Sequence, residues 1–208
     1  SYQRQHPQFN IEGSKNVWIL KPGGKSRGRG IFLTDHLDHV LEHAENGSES
    51  WVIQKYIESP QVVEGKKFDI RQWVLVTSWS PLAVWFYDKS YLRFSWEDYD
   101  TKTLGDRMKH LTNYSVIKHA DDFDERCDET MWHCDKYAEY LKKQLHENAE
   151  KWGLDEEDLQ KSPWDDEIQP QMKKIVYATM QCAADKIDDR KNSFELFGFD
   201  FMVDIKGK

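Results

Sequence analysis

Between residues 68 and 95 the chain carries three strand-like runs with almost nothing between them. FDIRQWVLVT (68–77), LAVWFY (82–87) and YLRFS (91–95) are separated only by turns built on Trp79-Ser80-Pro81 and Asp88-Lys89-Ser90. Such short links join antiparallel neighbours, so the middle of the chain reads as an antiparallel meander. In the first run Phe68, Ile70 and Gln72 alternate with Asp69, Arg71 and Trp73. One strand face therefore presents Asp69 and Arg71 together.

Around this meander the pattern is mixed. Residues 17–21 (VWILK), closed by Pro22, read as a buried strand. Residues 22–30 (PGGKSRGRG) hold four glycines and three basic residues and read as a loop, followed by a short strand at 31–33. Thr34 or Asp35 is placed to cap a helix with Leu37, Val40 and Leu41 on its apolar face, ended by Asn46-Gly47. Residues 51–57 (WVIQKYI) form another strand, stopped by Ser59-Pro60. The polar stretch 96–120 is longer than a plain connection requires and is expected to line a site. Residues 121–167 are strongly acidic, with a helix near 135–151 on Tyr137, Leu141 and Leu145, and flanks expected to be exposed or mobile. Ile168, Met172, Ile175, Val176, Ala183 and Ile187 mark a helical stripe. Residues 194–205 (FELFGFDFMVDI) read as a final strand pair or bent strand. Lys206-Gly207-Lys208 reads as a hairpin turn without its second strand, so a truncated chain is expected. The fold class is α+β.

Composition narrows the function classes. The 208 residues make one large domain or two small ones, and nine Trp, nine Tyr and ten Phe argue against disorder. Mean hydropathy is -0.83. No apolar run approaches the roughly 20 residues of a membrane span, and no signal-peptide core is visible, so no membrane partner is expected. Cys127, Cys134 and Cys182 fit no zinc signature and read as free thiols of an intracellular protein. Net charge is -8, with 16 basic against 14 acidic residues in 1–118 and 13 against 23 in 119–208. An acidic total speaks against a nucleic-acid binder, while the basic residues of the first part gather in candidate site segments.

Five segments carry candidate chemistry. In VWILKPGGKSRGRGI, glycines let backbone N–H groups approach an anion, and Lys21, Lys25, Arg27 and Arg29 add charge. The spacing is neither a Walker loop nor G-x-G-x-x-G, and a basic surface hairpin reads equally well. In WVIQKYIESP, Gln54 and Lys55 interrupt an apolar strand. A strand edge there can read adenine through its backbone, or the lysine simply faces solvent. In KKFDIRQWVLV, Lys67, Asp69 and Arg71 share one strand face, either as a phosphate clamp or as a solvated surface. YLRFS and HLTNYS supply Arg93 among aromatics and a cluster of small polar groups. In FELFGFDFMVD, Asp200 stands between two phenylalanines, where a carboxylate is costly unless paired or metal-bound.

The order of these segments over residues 15–205 resembles the tubulin–tyrosine ligase-like family, which has an ATP-grasp fold. SRGRGI, WFYDKSYLRFS and RKNSFELFGFDF are most similar to the tubulin glycylase branch, and HLTNYS to the glutamylases. The resemblance implies two mixed sheets holding a nucleotide: residues 1–14 end a preceding segment, 15–60 form a central subdomain, and 61–208 form a truncated C-terminal subdomain with an acidic insertion at 121–167. It implies an ATP- and Mg²⁺-dependent ligase, acting in the cytoplasm on the cytoskeleton and cilium. Such an enzyme joins free glycine, or glutamate in the alternative, to glutamate side chains of tubulin tails through an acyl phosphate. A non-catalytic nucleotide- or microtubule-binding relative is the second alternative. A monomer is expected.

By the same resemblance Lys21, Arg27 and Gly28 contact ATP phosphates. Gln54, Lys55, Tyr56 and Ile57 hold adenine, largely by backbone. Lys67, Phe68 and Asp69 hold the base, ribose or phosphates, and Thr112 and Asn113 complete the nucleotide site. Arg93, Tyr114 and Ser115 face the amino acid, and Asp200 is a Mg²⁺ ligand. Arg71 and Arg93 are expected to offset charge on the transferring phosphoryl group and the tetrahedral intermediate. Two further family Mg²⁺ ligands lie on a following strand that this sequence does not include, so the fragment is expected to be inactive.

Overall fold

A computed structural model describes residues 13–45 and 50–204. The expected helix stop at Asn46-Gly47, the turn at Lys206-Gly207-Lys208 and most of the preceding segment 1–14 lie outside the described residues. Among these, one compact unit comprises residues 13–68, 94–130 and 203–204, and a second comprises 69–93 and 131–202.

Two antiparallel sheets form the frame. The smaller has β1 (Trp18–Pro22) between β2 (Phe32–Thr34) and β3 (Trp51–Lys55). The larger contains β4 (Val62–Val63), β5 (Lys66–Trp79), β6 (Leu82–Phe86), β7 (Tyr91–Asp98), β8 (Met131–His133) and β9 (Glu195–Phe201), in the order β4-β5-β7-β8 with β6 and β9 also on β5. The three expected strands are present and β5 with β6 forms an antiparallel hairpin, but β7 pairs with β5 and not with β6, so the consecutive meander is not formed. Residues 194–204 resolve into one strand plus a bridge from Pro60 to Asp204. The chain is α+β, with helices flanking antiparallel sheets.

In the first unit the small sheet packs through Val17, Ile19, Leu33 and Tyr56 against Leu111 and Val116. The polar stretch 96–120 is thus anchored by a few apolar residues on α2 (Arg107–His110), α3 (Tyr114–Ile117) and their link. Asp106 caps α2 by accepting the Met108 N–H at 3.0 Å. The expected helix after β2 is α1 (Leu37–Glu45), but its apolar face is not buried, and Leu37 is 65% exposed. The contact comes instead from His43, whose ring lies 4.8 Å from Phe32 and 4.9 Å from Trp51. The acidic stretch continues this unit with α4 (Phe123–Arg126).

In the second unit β5 alternates strictly. Val74 and Val76 meet Val176 and Met180 of the long helix following the acidic stretch, together with Phe197, Phe199 and Phe201 of β9. The helix expected near 135–151 is present, and the flanks expected to be exposed or mobile carry secondary structure of their own. β8 pairs with β7, α5 (Cys134–Glu147) buries Tyr137 and Leu141, and a π-helix (Pro163–Ile168) buries Trp164 and Ile168. Short helices α6 (Ala149–Trp152) and α7 (Glu156–Gln160) bury nothing, and α7 is strongly acidic. The stripe residues Met172 and Val176 are buried on α8 (Gln169–Ala184), whereas Ile175 and Ile187 face outward and Met180 takes their place. The apolar face recurs every fourth residue, so it drifts away from those two positions. Among the described residues no helix is long and apolar enough to cross a membrane. Cys127, Cys134 and Cys182 are free.

Candidate functional site

Period two on β5 and β9 builds the centre of the second unit. With Val74 and Val76 turned to α8, the residues Asp69, Arg71, Trp73 and Leu75 occupy the opposite face. The register sets Arg71 against Asp200, Trp73 against Gly198 and Leu75 against Leu196. Four charged side chains converge there. Arg93 donates from Nε and Nη2 to both oxygens of Asp69, at 2.8 and 2.7 Å. The same Nη2 lies 2.8 Å from Asp200 Oδ1, and Arg71 Nη1 lies 3.1 Å from that oxygen. Arg71 rests on the Trp73 ring, 5.2 Å from Cζ to centroid. Burial opposes the charge on Arg93, but the bonds to Asp69 and Asp200 outweigh it and hold the guanidinium firmly ionised.

This arrangement corrects one expectation. Asp200 is not immersed between Phe199 and Phe201. Those rings stack 6.0 Å apart on the helix side, while the Asp200 side chain is 49% exposed on the other face and paired with two arginines. Asp69, expected at the nucleotide, accepts a two-point bond from Arg93. Sequence reasoning also missed the continuation of this face. Trp73, Leu75, Trp85, Tyr87 and Leu196 line an apolar hollow of about 590 Å³. Its signal in the sequence was the odd-numbered apolar set on β5 beyond Arg71.

The first unit holds the other candidates. Lys21 Nζ donates to Gln54 Oε1 at 2.8 Å, across β1 and β3. β3 is an edge strand, as an adenine-reading edge requires. The Tyr56 side chain is buried, with its OH 3.1 Å from His110 Nδ1, so only its backbone is left for a ligand. Ile57 is half-buried. Lys55 donates at 2.6 Å to Glu58 Oε1, so the lysine that interrupts the strand is neither buried alone nor simply solvated. Glu58, unnoticed in the sequence, also accepts the N–H groups of Lys15 and Val17 at 2.7 and 2.8 Å. Its own burial raises its pKa, but Lys55 and these two N–H groups outweigh that and lower it.

Lys67 is buried, not solvated. Its Nζ donates to the His110 carbonyl at 2.7 Å and lies over the Tyr56 ring, while Phe68 packs on Phe94. The Gly-rich loop is tied to the HLTNYS segment. Ser115 Oγ donates to the Arg27 carbonyl at 2.6 Å, and Arg107 donates to the Gly28 carbonyl. Gly28 has φ +73°, and a Cβ there would stand 2.9 Å from Asn113 Oδ1. Thr112 is buried, and Tyr114 is 62% exposed with its ring against Phe123.

The residues fit a Mg²⁺–phosphate group in kind. Arg71 Nε is buried without an acceptor, a donor that an anionic oxygen would satisfy. Asp200 offers a half-exposed hard oxygen ligand, and Mg²⁺ on nucleotides uses one or two carboxylates with phosphate and water. Among the described residues no cluster of three His, Cys, Asp or Glu side chains forms a metal site by itself.

Comparison with known proteins places this geometry. The model of the tubulin-tyrosine ligase family matches residues 1–208. The chain belongs to that family. Within it, the chain is 41% identical over 206 residues to tubulin glycylase 3C of Tetrahymena thermophila, covering 98% of this chain and 18% of that protein. It is 41% identical over 206 residues to human tubulin monoglycylase TTLL3, covering 94% and 25%. It is 40% identical over 207 residues to human protein monoglycylase TTLL8, covering 95% and 23%. The chain thus spans a quarter or less of the length of these family members.

Proposed function

We propose that this chain is the catalytic core of an ATP-dependent ligase that joins free glycine to glutamate side-chain carboxylates of tubulin tails. The observation that carries the reading is the Asp69–Arg93–Asp200–Arg71 cluster, found in a chain about 40% identical to proteins named for glycylation. Glycine is preferred over glutamate because the relatives compared above are named glycylases or monoglycylases. The central and C-terminal subdomain division, at residues 15–60 and 61–208, belongs to the same proposal. So do monomeric action in the cytoplasm, on the cytoskeleton and at the cilium.

In this reading Lys21, Arg27, Gly28, Gln54, Lys55, Tyr56, Ile57, Lys67, Phe68, Thr112 and Asn113 hold ATP, and Asp200 holds its Mg²⁺. Bound ATP with Mg²⁺ supplies the phosphoryl group that makes a carboxylate reactive toward an amine. Arg71 and Arg93 orient the acceptor carboxylate and offset negative charge as it is activated, with Asp69 fixing the Arg93 fork. Tyr114 and Ser115, like Arg93, are assigned to the amino acid by the family resemblance alone. No side chain is assigned as general base.

The test is a competition assay with the full-length protein, ATP, Mg²⁺, microtubules and equimolar labelled glycine and glutamate. Glycine incorporation that vanishes when the acidic tails are removed supports the proposal. Incorporation of glutamate alone would transfer it to the polyglutamylases, and incorporation of neither would leave a binding relative.

A further inference from the structure

Gly198 lies in the middle of β9, and its φ is not in the left-handed region. The backbone therefore does not require glycine, which weakens a strand interior. The space above it does. A Cβ at 198 would come within 2.3 Å of Arg71 Nη1, 3.0 Å of Arg71 Cζ and 3.2 Å of Trp73 Cζ3. Arg71 leans from its own register position across Gly198, with Trp73 beside it, and so brings Nη1 to 3.1 Å from Asp200 Oδ1. The obstructed atoms belong mainly to the end of a flexible side chain. A methyl group at 198 would displace the guanidinium and leave the backbone in place.

We propose that Gly198 is a positioning residue for Arg71: its missing side chain is the seat of the guanidinium, and Trp73 is the wall of that seat. The consequence for turnover rests on the ligase reading above, but the seat itself does not. Arg71 Nε is buried without an acceptor, so its N–H gives an independent probe of where the guanidinium lies.

The experiment is Gly198→Ala, studied by NMR of labelled arginine Nε–H groups, by thermal unfolding and by glycine incorporation in the full-length protein. The Arg71 Nε–H signal, assigned by its loss in Arg71→Lys, is expected to shift and exchange faster with water. Tm is expected not to fall, since alanine suits a strand better than glycine. The kcat is expected to fall about tenfold or more with KM for ATP unchanged, the pattern of an interaction made in the transition state. A shifted signal without glycine incorporation in either protein keeps the seat and removes the ligase reading. An unmoved Arg71 signal overturns the proposal, whatever the activity. If Gly198→Ala unfolds, it is repeated in an Arg71→Ala background. Restored folding there supports the seat, and continued unfolding overturns it.

Discussion

His110 is fully buried, and both ring nitrogens are engaged, Nε2 with the Thr103 carbonyl and Nδ1 with the Tyr56 hydroxyl, each at 3.1 Å. A carbonyl only accepts, so the proton sits on Nε2 and Tyr56 donates to Nδ1. Burial, aided by the Lys67 charge and opposed by the bond to Thr103, lowers the His110 pKa. The unfolded chain binds this proton more readily, so stability rises with pH. The contribution is complete above the ordinary histidine value of about 6.5 and is lost as pH falls below it. Urea unfolding at about pH 7.5 and about pH 5.5 should show a loss at the lower pH that is smaller in His110→Gln. An identical loss in both proteins would contradict this assignment. Neither bond was legible in the sequence, because Tyr56 and His110 meet only through the packing of α2 on the small sheet. Asp69, Arg71, Arg93 and Asp200 were legible one by one, from strand alternation and family resemblance. Their pairing was not, since it depends on a register joining Arg71 to Asp200 across 129 positions of chain.

Elements separate into those that announce themselves and those made by context. The strands β5, β6 and β7 were legible from their alternation and short turns, but their pairing was not, because β7 lies against β5 and not against β6. Within residues 121–167 the helix near 135–151 was legible from Tyr137, Leu141 and Leu145, but its flanks were not, because their apolar residues are few and irregularly spaced among carboxylates. Yet Tyr137 and Trp164 are buried with ring centroids 5.9 Å apart, which ties α5 to the π-helix. Trp164→Ala should therefore cost about 3–5 kcal/mol, read from the shift in denaturant midpoint. Amides of α5 and β8 should lose hydrogen-exchange protection in the same variant. A cost below about 1 kcal/mol would return the segment to the peripheral insertion that its charge implies. The helix α1 errs in the opposite direction: its sequence pattern is regular, but Leu37 and Leu41 stay exposed.

For the whole molecule, charge balance describes surface more than site. The residues from 119 onward carry -10 against +2 in residues 1–118, and α7 displays three of those carboxylates without burying a residue. The cluster in the second unit pairs two arginines with two aspartates, so it is invisible in any charge total. The account therefore depends on what that cluster does. Arg93 is its hub, bonded to both aspartates, and a lysine would keep the charge but lose the two-point fork. The most direct measurement is glycine incorporation into microtubules by full-length Arg93→Lys beside the unaltered protein, with folding checked by thermal unfolding. The account predicts a folded variant whose incorporation falls about a hundredfold, the scale of losing one well-placed charge-stabilising group. A folded Arg93→Lys protein that adds glycine at the unaltered rate would contradict it.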